Sequence, residues 1–198
     1  MSGTGPDPCP STQPTMTTLP DLTRPISIPE TTLSDAESLM TPQLQAWADQ
    51  PPAIRVVTVD RKDIERFCIA TRVDGAIHND VSAAQAAGFR DLVAPPLFFV
   101  TLRTGAYNQV PQSELHEEGT PQDDLPPIEF RQAMAGETDV DLLRPFVAGD
   151  QVTCSRRVTG LTEKVGRSGR MLLAAYEYRY ADENDEPFVI ERFTRIFR

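Results

Sequence analysis

The sequence predicts an α+β domain in which a curved antiparallel sheet wraps a central helix. Three observations predict it. A single β-branched run near residue 54 is followed by helical segments, four strand-like runs fill the C-terminal third, and residues 96–105 carry apolar groups on nearly every face. A helix apolar all round must be covered, and a sheet curled about it is the natural cover.

The bulk properties set the frame. At 198 residues the chain fits one domain with an appendage, and 39% apolar residues suffice for an ordinary core. The net charge of −10 argues against a nucleic-acid partner, because phosphate backbones demand a basic patch. The three cysteines, Cys9, Cys68 and Cys154, share no metal spacing and read as buried thiols in a reducing compartment. No apolar run is long enough to span a membrane, and the N-terminus lacks a charged-then-apolar leader pattern, so a cytoplasmic protein is expected. Neither a metal nor a cofactor is called for.

Residues 1–30 are rich in Pro, Ser and Thr, with six prolines by Pro25, and bury too little apolar surface to offset ordering; a disordered tail is expected. Residues 31–52 suggest a short helix starting near Ser34 and running through Leu39, Leu44 and Trp47, with a linker at Pro51 and Pro52; Trp47 is read as docking this helix on the core. The main domain is taken as 53–198. Within it, 54–59 reads as a strand. Asp60 then caps a helix over 61–71, with Asp63 in its first turn and Ile64, Phe67, Cys68 and Thr71 at helical spacing. A second short helix covers 81–87 and stops at Gly88. Residues 108–130 form a long acidic loop in which His116 is read as solvated. Strands are expected over 138–143, 151–162, 171–180 and 188–197. Tyr176, Tyr178 and Tyr180 alternate with Glu177 and Arg179, and a hairpin loop lies at 181–187.

The chemistry concentrates in residues 70–96. His78 stands between Asp74 and Asp80, and a loop at 94–97 opens the apolar helix. A His with a carboxylate can hold and deprotonate water. Backbone N–H groups where a buried helix begins can hold a developing oxyanion in a low-dielectric setting.

This segment resembles the MaoC-like hot-dog hydratases, whose motif runs Gly-Asp-x-Asn-Pro-Leu-His-x-Asp, then Ala-x-x-x-Gly-Phe and a His-Gly loop. It is more similar to the FAS1-like dehydratase N-terminal subfamily, in which that loop reads Ala-Pro-Pro, as Ala94, Pro95 and Pro96 do here. Residues 143–150, 163–169 and 192–198 match in register, so the likeness spans about 54–198. The resemblance implies a single hot-dog fold and an enoyl-thioester hydratase or dehydratase acting on acyl-CoA or acyl-carrier thioesters of fatty acid or steroid metabolism. It puts His78 in the catalytic role with Asp74 or Asp80 assisting, and Ala94, Pro95, Pro96 and Leu97 against the thioester. It further implies a homodimer, or a heterodimer with a MaoC-like hydratase subunit. Arg167 and Arg170, flanking the turn at 166–169, are candidates for CoA phosphates, against the plainer reading of a solvated hairpin. One position departs from the pattern: Val73 stands where the family has its catalytic aspartate, five residues before the histidine. Asp74, one residue late, substitutes only if the loop at Gly75 and Ala76 shifts register. Without it, the chain resembles degenerate members that bind acyl chains while a partner supplies the chemistry.

Overall fold

Period-two burial builds the sheet. In this computed structural model, which describes residues 38–105, 111–117, 119–120, 125–167 and 169–198, the tyrosine alternation at 176–180 puts all three rings on one buried face. Glu177 and Arg179 lie on the other, where Glu177 pairs with Arg157 at 2.7 Å and Arg179 pairs with Asp185. Five strands form one antiparallel sheet: β1 (Ala53–Thr58), β2 (Ala133–Leu142), β3 (Gln151–Gly166), β4 (Gly169–Ala181) and β5 (Pro187–Phe197), in the order β1-β3-β4-β5-β2. Register shifts between Val158 and Gly160, between Tyr180 and Ala181 and between Ala135 and Thr138 bend the strands. At the last of these Gly136 passes so close to β5 that a Cβ would lie 3.0 Å from the Thr194 carbonyl.

The helices follow their capping residues. Thr41 accepts from Leu44 N–H and starts α1 (Pro42–Ala48), whose Trp47 meets the Tyr176 ring edge-on at 6.3 Å. The expected docking of Trp47 is therefore found, but the helix begins at Pro42 behind Thr41; Ser34 and the tail at 1–30 lie outside the described residues. Asp60 accepts from Lys62 N–H to open α2 (Arg61–Thr71), which ends at Arg72 in the left-handed conformation (φ 58°). A four-residue helix α3 (Ala76–Asn79), which no sequence signal marked, precedes α4 (Val81–Ala86). Gly88 (φ 91°) closes that stretch.

The central segment starts as a 3-10 turn (Pro96–Phe98) and continues as α5 (Phe99–Gly105). Phe98, Phe99 and Leu102 are buried, with Phe98 edge-on to Phe67 at 5.6 Å and Phe99 to Tyr180 at 5.7 Å. The sequence expectation of apolar cover on every side needs one correction, since Leu97 is 61% exposed. Beneath α5 lies a buried charge. Glu191, 1% exposed on β5, accepts from Arg103 at 2.5 Å and from the Tyr180 hydroxyl at 3.1 Å. Burial pushes the Glu191 carboxyl up, and Arg103 opposes it. His116 also departs from its expected solvated loop: its ring stacks on Phe130 with centroids 4.8 Å apart.

Candidate active site

His78 is held in α3 because residues 73–80 are tied to themselves at both ends. Asn79 Nδ2 donates to the Val73 carbonyl (3.1 Å) and the Gly75 carbonyl (3.0 Å), closing the loop. Asp80 caps α4 by accepting from the Ser82 N–H and hydroxyl, both at 2.7 Å. Across from α3, Val93 N–H donates to the Ile77 carbonyl (3.1 Å) and His78 Nδ1 sits 2.6 Å from the Val93 carbonyl. A carbonyl oxygen only accepts, so Nδ1 carries the proton. In the neutral ring Nε2 then keeps its lone pair. Gly75 leaves space for the ring: a Cβ there would lie 3.0 Å from His78 Cδ2 and 3.6 Å from Nε2.

The imidazole borders a cavity of about 350 Å³ between the loop at 93–96, residues 142–146 and Val189 of β5. Its walls are apolar except for His78 and Arg144. That arginine is already engaged, by Asp182 (2.7 Å), by the Glu186 carbonyl (2.6 Å) and by the Phe188 face 3.6 Å from its Cζ. Among the side chains lining this cavity, His78 is therefore the polar one not already engaged by a charged partner.

The acids and amides singled out from the sequence take different places. Asp74 is exposed and, among the described residues, forms no ion pair with His78. Asp80 is exposed too; its carboxyl is held below the usual carboxylate range by Ser82, hydroxyl first and then N–H. Val73, at the family's aspartate position, is half-buried and packs on the core. Pro95 and Pro96 line the cavity, as Ala94 does. Of the amides at 94–97, Ala94 N–H is taken by the Phe146 carbonyl (2.8 Å) and the prolines have none. Leu97 N–H is the one left open at this helix start among the described residues.

Arg167 and Arg170 are not brought to His78 within this chain. Arg170 pairs with Glu163 at 3.0 Å, and Arg167 lies in the turn joining β3 and β4. On β4, Arg170 is ten residues from Tyr180, the register partner of Val189. At the usual strand rise that is roughly 30 Å. What residue-level reading missed is the far wall, Phe146 and Val189, and the Val93 carbonyl. Residues 143–150 were legible as a matching motif, whereas Val189 is one apolar strand position among many.

A curved antiparallel sheet around a short helix, with a histidine-bordered cavity at the helix start, defines a domain of the hot-dog fold. The chain belongs to the family described as FAS1-like, dehydratase domain region, which it matches over residues 53–191. A UPF0336 protein of Clavibacter michiganensis subsp. michiganensis is 33% identical over 147 residues, covering 74% of this chain and 89% of that protein. Two solved structures share the fold. The ChsH1-ChsH2 complex of Mycobacterium tuberculosis aligns with a TM-score of 0.59 at 18% identity, over 78% of this chain and 88% of that one. The C-terminally truncated HadBC complex of the same organism, a 3R-hydroxyacyl-ACP dehydratase, aligns with a TM-score of 0.54 at 16% identity, over 75% of this chain and 97% of that one. No helix among the described residues is long and apolar enough to cross a membrane.

Proposed function

We propose that this protein is a cytoplasmic hydratase or dehydratase subunit for enoyl thioesters, adding or removing water across the 2,3 double bond of an acyl-CoA or acyl-carrier substrate. The observation that carries this reading is that His78 borders an apolar cavity while its Nδ1 is held on the Val93 carbonyl, which leaves Nε2 as the basic atom of the neutral ring. In hydration, Nε2 takes a proton from water as the water oxygen bonds to C3. The displaced electron pair moves to the thioester oxygen as an enolate, and a proton delivered to C2 completes the addition. We assign the enolate oxygen to the Leu97 N–H, next to Pro96 of the cavity wall.

The imidazolium so formed carries the proton that C2 needs, but no carboxylate among the described residues stands beside the ring to orient the water and share that proton: Asp80 is a helix cap and Asp74 is exposed. In this reading a second hot-dog subunit supplies the carboxylate that assists His78. The absence of the aspartate at Val73 favours a second reading, a non-catalytic subunit that only holds the acyl chain. Hydration of crotonyl-CoA and longer enoyl-CoAs, assayed for the protein alone and with a MaoC-like subunit carrying an intact Asp/His pair, separates the two. Loss of activity in the complex on His78→Ala supports the catalytic role. Equal activity of wild type and His78→Ala complexes overturns it in favour of the binding subunit.

A further inference from the structure

A second cavity, of about 880 Å³, opens at the end of the sheet away from His78. Its charge runs against that of the molecule. In a chain with net charge −10, the described residues of its wall include Arg131, Arg170 and Arg198 against one acid, Glu129. Arg170 is committed to Glu163. Arg198 is held flat, with Nε and Nη2 both donating to Gln132 Oε1 at 2.8 and 2.7 Å. The Arg131 guanidinium has no partner among the described residues and is exposed at the cavity wall. Beside them the Phe130 ring is fixed between His116, stacked at 4.8 Å, and Phe197, edge-on at 5.1 Å.

Like charges gathered at one place repel, and nothing in the packing of the sheet requires Arg131 to join them. Planar guanidinium forks match phosphate oxygens in pairs, and a rigid aromatic wall beside them offers a face to an apolar or ring-bearing body. The volume lies within the range of roughly 300–1,000 Å³ common for small-molecule sites. We propose that this cavity binds a phosphate-bearing organic anion of nucleotide size, with Arg131 and Arg198 taking the phosphates and the Phe130 wall the body. The site requires nothing of the reaction at His78 and stands or falls separately.

Calorimetric titration of the full chain at low salt tests it, with ADP as the probe, inorganic pyrophosphate for the charge alone and adenosine for the ring alone. Saturable binding of one ADP per chain is expected, weaker for pyrophosphate and lost for adenosine. Arg131→Glu should weaken ADP at least about tenfold, the effect of one charge-assisted contact removed, with Arg131→Gln intermediate. Both variants should melt as the wild type does, because the side chain is exposed, and His78→Ala should bind ADP unchanged. Amide shifts on binding should centre on Phe130 and Gly169. Absence of saturable ADP binding up to about 1 mM overturns the proposal. So do equal affinities of wild type and Arg131→Glu, or shifts centred on the His78 cavity.

Discussion

A single hydrogen bond decides what His78 can do. The Val93 carbonyl takes Nδ1–H and leaves Nε2 as the basic atom, while Asp80 caps α4 and Asp74 is exposed. Removing the ring by His78→Ala should lower hydration by the complex at least about a hundredfold, the usual contribution of a general base, with an unchanged melting temperature; steady-state assays and calorimetry check both. Gly75→Ala is more selective. Gly75 has φ −57°, so alanine fits the backbone and stiffens the unfolded chain, which adds up to about 1 kcal/mol. The new methyl, however, meets the ring and pushes it off the Val93 carbonyl. Activity should therefore fall about tenfold or more while stability changes little. A loss of both in proportion would mean that Gly75 matters to the fold and not to the ring.

The central helix is held in place by two kinds of contact. Phe98, Phe99 and Leu102 supply apolar burial that any rotation of the helix would partly keep. The pair Arg103–Glu191, braced by the Tyr180 hydroxyl, has one good geometry and so fixes the rotation. Val189, two residues along the same face of β5 from Glu191, forms part of the cavity wall, so the pair also sets the cavity's floor. Glu191→Ala leaves Arg103 half-sequestered without its acid and should cost about 3 kcal/mol in chemical denaturation. The double variant Arg103→Met with Glu191→Leu should recover part of that loss, because apolar groups of similar volume need no partner. A double variant less stable than Glu191→Ala would show that the pair contributes stability outright.

At the scale of the whole molecule, acid sensitivity follows from carboxylates held low. Asp182 is stabilised as the anion by the Glu186 and Asn184 N–H groups and Arg144, Glu163 by Ser38, Leu39 N–H and Arg170, and Asp91 by Arg61 and Leu92 N–H. Each has a folded value below its unfolded one, so its contribution is complete above the ordinary carboxylate range and is lost as pH falls through the depressed value. The melting temperature should hold between about pH 7 and 5 and fall below about pH 4. Asp182→Asn should lower it at neutral pH and flatten the acid decline, as scanning calorimetry across pH would record. The sequence by itself determined the strand alternation, the caps at Asp60 and Gly88, and the family through residues 70–96 and 143–150. Those are local properties, set by side-chain periodicity and backbone preference within a few residues. Only the tertiary structure decided that Val93 fixes the His78 tautomer, that Asp80 caps a helix and that Arg170 belongs to the opposite end of the sheet. Those facts depend on which distant backbone and side-chain groups meet. Such meetings are set by strand register and by the competition of each polar group for its nearest partner.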